Sequence, residues 1–147
     1  MSQCKEMIFF KLQFYIIYFI LTFMMNLIAV FIGGGLGSLL RYITDNHFKT
    51  FNFVFPLGIV WINILGCFVM GFLFSLFLFK YTNLNNTLKI MLTVGFCGGF
   101  TTFSTFSLQI FELYQKGDFV LCLVYLFLSV ILSILSLVFG VHLGKII

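Results

Sequence analysis

Charge is nearly missing from this chain. Only 8% of its 147 residues are Asp, Glu, Lys or Arg, and only four of those are acidic. Proline occurs once, at Pro56, and tryptophan once, at Trp61. The acidic residues, Glu6, Asp45, Glu112 and Asp118, all fall at or beyond the ends of apolar stretches. No acid/base pair, nucleophile–base set or metal cluster lies within those stretches, so no enzyme is visible. A proton-coupled exporter needs a buried group to carry the proton, and that carboxylate is absent too. Cysteine is sparse: Cys4, Cys67, Cys97 and Cys122 form no CxxC pair and no metal-ligand spacing. Three of them sit in apolar runs, where a free thiol behaves as a small hydrophobe.

What remains is apolar. Hydrophobic residues make up 62% of the chain and mean hydropathy is +1.18. A soluble domain of this length could not bury so much apolar surface. The apolar stretches are continuous rather than alternating, which predicts membrane-spanning helices and not a β-barrel. The 23 phenylalanines carry less information, because a low-GC genome would raise Phe, Ile, Asn and Lys together.

Three spans are clear, each roughly 24 residues and able to cross about 30 Å of hydrocarbon with some tilt. Pro56 to Phe79 opens on the single proline, which suits a first helical turn. Leu88 to Phe111 and Phe119 to His142 follow. Polar segments from Lys80 to Thr87 and from Glu112 to Asp118 separate them. The amino end is different. Apolar residues run from Met7 to Tyr42, broken only by Lys11, Gln13 and Asn26. One helix of that length would reach about 54 Å, too long for one span and too short for two with a turn. The first span is placed at Phe23 to Tyr42, with residues 1–23 as an interfacial extension outside a domain at 24–147. A signal peptide is disfavoured because no small-residue cleavage site follows. A start at Met24 or Met25 is favoured slightly and leaves a compact four-span protein. Orientation is unbiased: Lys80, Lys89 and Lys145 face one side, and Arg41, Lys49 and Lys116 the other. Lys5 and Lys11 would tip this to five against three.

The most informative stretch is Gly95-Phe-Cys-Gly-Gly-Phe-Thr-Thr-Phe-Ser-Thr-Phe-Ser107. It lies in a span yet opposes helix formation. Glycine costs about 1 kcal/mol in a helix interior, and Gly98-Gly99 is the weakest pair of that span. Thr101, Thr102, Ser104 and Thr105 bring hydroxyls that bond freed backbone groups. Irregular backbone at membrane depth is tolerated only inside protein or along a cavity. A broken third helix is therefore expected, used to handle an ion or small polar solute.

Other buried polar residues have two readings each. Gly33/Gly37 and Gly34/Ser38 are small-xxx-small pairs that suit close helix packing. Arg41 either snorkels to the interface or draws anions to a pore mouth. Asn63 must face protein or a cavity, as interhelical glue or as an N–H donor to an anion. Phe103 and Phe106 share a helix face, as core packing or as positive ring edges along an anion path. Tyr125, Ser129 and Ser133, spaced four apart with Ser136 nearby, read as a polar track or a packing seam.

Taken together these residues resemble the Fluc (CrcB) family of microbial fluoride channels from about Asn26 onward. The motifs are the Gly-rich first span ending in Arg41-Tyr42, Asn63-Ile-Leu-Gly66, and the long, specific Gly95–Phe106 segment. The resemblance implies four-span subunits in an antiparallel, dual-topology homodimer with two pores at its interface. It implies that Phe103 and Phe106 line the fluoride path beside Asn63, and that Arg41 and the Tyr125, Ser129, Ser133 track match the family's own. It implies a structural Na+ at the dimer centre, held by main-chain carbonyls of Gly98 and Thr101. Expected partners are fluoride, the lipid bilayer of an inner or plasma membrane and a second copy of the chain, with no nucleic acid. Two departures stand out: Gln109 replaces a glutamate found in some members, and residues 1–23 have no counterpart.

The physics of fluoride fits. The ion is small and strongly hydrated, so a pore must replace its water with donors while a narrow path rejects chloride. Hydrogen fluoride enters cells neutral and dissociates inside, so a passive channel driven by the negative interior suffices for export. A small dual-topology multidrug-type exporter and a structural subunit of a larger membrane complex are the competing classes.

Overall fold

The computed structural model describes residues 2–51 and 55–147, with side chains described at residue 7 and from Phe10 onward. Cys4, Lys5 and Glu6 therefore lie outside the described side chains. The regular elements of the described chain are all helices. α1 covers Ser2–Lys49, α2 Leu57–Phe79 and α3 Asn86–Ile90. A π-helical stretch, Met91–Cys97, joins α3 to α4 at Gly98–Phe100. α5 then covers Phe103–Gln115 and α6 Phe119–Ile146. Four stretches are long and apolar enough to cross a membrane: Phe10–Lys49, Leu57–Phe79, Asn86–Gln115 and Phe119–Ile146. The span ends differ from the sequence expectation at several points. Pro56 caps α2 from outside instead of opening it. α6 runs one turn past His142, because Gly144 still packs against α2.

α1 is the largest departure. It is one helix of 48 residues, about 72 Å at 1.5 Å per residue. It continues past Tyr42 to Lys49, where Lys49 pairs with Asp45 at 2.6 Å one turn back. Its contact with the other helices begins near Asn26, whose side-chain oxygen accepts a 2.8 Å hydrogen bond from the Thr87 hydroxyl at the start of the third span. Thr87 is itself held by Asn85, whose side chain caps α3 through the Thr87 N–H at 2.9 Å. Before Asn26, every described side chain of α1 except Thr22 is exposed.

In lipid, helices associate through close van der Waals packing rather than hydrophobic burial. Glycine supplies that closeness here. A Cβ on Gly33 would strike the Met91 carbonyl oxygen, and one on Gly37 the Phe96 carbonyl oxygen. From the other side, a Cβ on Gly99 would strike the Gly34 carbonyl oxygen. The packing-face reading of the first-span glycines therefore holds. α2 and α6 meet the same way, Gly71 against the Leu137 backbone and Gly140 against that of Phe68. Ser136 locks this seam by donating to the Ile64 carbonyl oxygen at 2.8 Å. It thus leaves the Tyr125, Ser129 and Ser133 stripe, and serves as glue.

α5 turns the core inward. Ile59, Val60 and Ile62 of α2 pack with Phe106 and Leu113 of α5 and Tyr125 of α6. Gly117, at φ +80°, makes the turn from α5 to α6, a left-handed conformation that glycine adopts without steric penalty.

Candidate functional site

The backbone between α4 and α5 decides the site. Thr101 has φ −75°, ψ 154° and Thr102 φ −147°, ψ 122°, both extended. The sequence reading set the irregularity at Gly98 to Thr102; Gly98 and Gly99 are helical, and the extended residues are the last two of that stretch. Gly99 is held by its backbone contact with Gly34 of α1. The helical pattern lapses two residues later, where side chains compete for the backbone. In a continuous helix the Thr102 N–H would bond the Gly98 carbonyl. Asn63 takes it instead: the Thr102 N–H donates to Asn63 Oδ1 at 2.9 Å. Asn63 Nδ2 returns a hydrogen bond to the Thr102 carbonyl oxygen at 3.2 Å. One α2 side chain thus satisfies both backbone groups of a buried residue, which is 5% exposed.

A second competition follows. The Thr105 N–H would pair with the Thr101 carbonyl, yet it donates to Thr102 Oγ1 at 3.2 Å. Thr102 is therefore the N-cap of α5, and Ser104 Oγ lies 3.1 Å from the same hydroxyl. The carbonyls of Gly98 and Thr101 both lose their helical donors to this arrangement. The Thr101 hydroxyl turns back to the Cys97 carbonyl oxygen at 2.9 Å.

Around this segment lies a groove of about 270 Å³. Asn63, Phe103, Phe106, Ser129 and Ser133, five of the residues singled out from sequence, all line it, together with Thr101, Thr102 and Cys67. No charged residue lines it. The Ser129 hydroxyl is buried and faces that of Tyr125, with no hydrogen bond of good geometry to it. Phe103 and Phe106 open α5, with ring centroids 5.7 Å apart. Their environments differ: Phe106 is 6% exposed and Phe103 78% exposed.

Tyr125 stands behind the groove. It is fully buried, with its ring 5.2 Å from Phe106 and 5.5 Å from Phe55. Its hydroxyl donates to Gln109 Oε1 at 2.7 Å. Gln109 in turn lines a second pocket of about 240 Å³, with Asp45, Lys49, Glu112 and Lys116 at its polar rim. The Tyr125–Gln109 bond therefore links the apolar groove to a charged mouth, one helical turn along α5.

Arg41 is not in either pocket's lining. It makes no ion pair or hydrogen bond among the described residues. It lies one turn before Asp45 on α1, on the same side of the helix. Cys67 escaped the sequence reading, although it follows Asn63 by four residues and so shares its face. Gln109 was noted only as a departure; its spacing from Phe106 by three residues was the signal for its place beside the track. No group of three or more His, Cys, Asp or Glu side chains suited to a metal occurs among the described residues.

Four apolar spans around a groove lined by hydroxyls, an amide and aromatic rings, with no charged side chain, define a small multi-pass membrane protein. A family model described as CrcB-like protein, Camphor Resistance (CrcB), matches residues 27–141, and the chain belongs to that family. Among curated proteins, it is 39% identical over 123 residues to the fluoride-specific ion channel FluC of Phocaeicola vulgatus, covering 83% of this chain and 100% of the relative. It is 44% identical over 104 residues to the protein of the same name from Serratia proteamaculans, covering 71% and 81%. For that of Escherichia coli strain K12 the figures are 41% over 105 residues, 71% and 82%.

Proposed function

We propose that this protein is a fluoride-selective passive channel of the cell membrane, exporting cytoplasmic fluoride and protecting against its toxicity. It is a channel and not an enzyme. The observation that carries the reading is the groove: its donors are neutral, and every residue lining it falls within residues 27–141, which the family model matches. Conduction needs binding weak enough for the ion to leave, and neutral donors spread along a path supply such contacts. Asn63 has two amide hydrogens. One holds Thr102, and the other is offered to the anion. Ser129 and Ser133 supply hydroxyls, and Phe103 and Phe106 supply ring edges, which are electropositive. Tyr125 fixes Phe106 and hands the path on to Gln109 at the polar mouth. Arg41 raises anion concentration near that mouth from outside the groove.

The third span is interrupted at membrane depth by design in this reading, and the working unit is an antiparallel homodimer. Two features support that unit: the 78% exposure of Phe103, a path residue, and the equal Lys and Arg counts on the two faces of residues 24–147, which allow either insertion of that domain. The Gly98 and Thr101 carbonyls, freed of helical donors, suit one Na+ shared by two such subunits across a two-fold axis. Oxygen ligands without a carboxylate do not suit Ca2+ or Mg2+. When bound, that ion would tie the two interrupted helices together.

Purified protein in fluoride-loaded liposomes is expected to release fluoride rapidly, with no proton gradient and little chloride release. Efflux that requires a proton gradient, or equal chloride efflux, overturns the function. Residues 24–147 are the channel domain in this reading, since α1 meets the bundle only from about Asn26. Removing residues 1–23 should leave insertion and flux intact. A truncated protein that fails to insert, or inserts one way only, would assign the extension a role.

A further inference from the structure

The two ends of the bundle differ in a way that equal cation counts conceal. The described carboxylate side chains, Asp45, Glu112 and Asp118, all lie at one end. Asp45 and Glu112 rim the charged mouth, and Asp118 stands at the start of α6. Lys80, Lys89 and Lys145 lie at the other end. Lys80 closes α2 and Lys145 is in the last turn of α6, roughly 40 Å of helix from Asp118. Among the described residues, no carboxylate side chain shares their end.

The three lysines converge on one short stretch, Phe77 to Thr82. Lys89 Nζ donates to the Thr82 carbonyl oxygen at 2.8 Å and lies 5.9 Å from the centre of the Phe77 ring. Lys145 Nζ sits 5.3 Å from the centre of the Phe79 ring, and Lys80 Nζ 6.0 Å from that of Tyr81. Lys80 also donates to a main-chain oxygen of Ile147 at 3.0 Å. Counting that oxygen as a full negative charge still leaves Lys89 and Lys145 uncompensated, and neither joins an ion pair among the described residues. Each ammonium has three N–H donors, so all three lysines keep donors to offer. Beside them Leu78, Phe79 and Tyr81 are exposed, at the end of a membrane span where such side chains meet lipid.

We propose that this turn binds the headgroup of an anionic phospholipid, with Lys89 and Lys145 on its phosphate and Leu78 and Phe79 along its acyl chains. Charge and depth set the occupant: lysines clustered at the end of a span attract anionic lipid. At the opposite end Asp45 neutralises Lys49. The proposal is independent of what the groove conducts.

The test offers the purified full chain, in neutral detergent, an equimolar mixture of phosphatidylglycerol and phosphatidylcholine with the same acyl chains. Native mass spectrometry reads which lipid stays bound. The native chain should prefer phosphatidylglycerol by about twenty-fivefold, roughly fivefold for each uncompensated lysine. Lys89→Gln with Lys145→Gln should retain the two lipids about equally, while Lys89→Arg with Lys145→Arg keeps the preference because the charge stays. Lys116→Gln at the far end should keep it too, as should Lys11→Gln, about 22 Å of helix before Asn26. Raising salt to about 1 M, where screening acts within roughly 3 Å, should erode the preference. Equal retention by the native chain overturns the proposal, as does a preference that survives the double glutamine change or that Lys116→Gln removes equally well. Displacement of the lipid by millimolar inorganic phosphate would make this a free-anion site and overturn the lipid assignment. Should the double glutamine variant fail to fold, the salt arm on the native chain decides, a preference unchanged by salt refuting the headgroup contact.

Discussion

Asn63→Leu is expected to abolish fluoride efflux and to destabilise the subunit at once. Leucine keeps nearly the size of asparagine but has neither donor nor acceptor. The Thr102 N–H and carbonyl would lose partners at 2.9 and 3.2 Å in a residue only 5% exposed. Each unsatisfied buried group costs roughly 1–3 kcal/mol, so a combined loss of about 2–6 kcal/mol is expected. Relaxation also has somewhere to go. The Thr102 N–H would swing back towards the Gly98 carbonyl and re-form helix, and the α5 N-cap would weaken. Flux should therefore vanish even in the fraction that remains folded. The check is efflux per folded subunit together with thermal unfolding in detergent. Normal flux with normal stability would show that the Asn63 contacts with Thr102 do no structural or conductive work. Normal flux with lost stability would confine Asn63 to glue, the other role its position allowed.

That double role explains how far the sequence could be read. A polar amide in an apolar span must have a partner, and this much follows from the residues alone. Which partner it finds depends on the distance between α2 and the third span, set by Gly66 beside Thr101 and by the glycines that seat α1. No local pattern encodes that distance. The same holds for the backbone irregularity. Propensity points to Gly98-Gly99, yet those residues stay helical because tertiary packing overrides a cost of about 1 kcal/mol per glycine. The lapse falls where Asn63 and the Thr102 hydroxyl outcompete the helix for N–H groups.

Other features were legible for clear reasons. Span number follows from length and hydropathy, and the Ser129 and Ser133 stripe follows from a spacing of four. Cys67 obeys the same spacing from Asn63 but looked like one more apolar residue in an apolar run. Gln109 could be seen as unusual, but its bond with Tyr125 joins α5 to α6 and depends on the turn at Gly117. α1 was least legible. A run too long for one span suggested a separate extension, yet residues 7–42 hold no proline, Gly33 and Gly37 are seated against the third span, and the described structure continues the helix to Lys49.

Phe103→Ile and Phe106→Ile should each cut fluoride efflux by at least about tenfold, equivalent to ~1.4 kcal/mol, and the pair separates two explanations. Phe106 is 6% exposed and packs against Tyr125. Replacing it with isoleucine removes ring volume from a filled site, at a cost of about 1–3 kcal/mol. Phe103 is 78% exposed within the subunit, so the same replacement leaves the subunit's own packing intact. If the rings act only as core, flux should follow stability: Phe106→Ile impaired, Phe103→Ile normal. If ring edges stand in for the water around fluoride, both lose flux although only one loses stability. Tyrosine sharpens the contrast, since it keeps the electropositive ring edge that isoleucine lacks. Phe103→Tyr should retain more flux than Phe103→Ile. Equal flux in the tyrosine and isoleucine variants at Phe103 would sink the ring-edge account, whatever happens at Phe106.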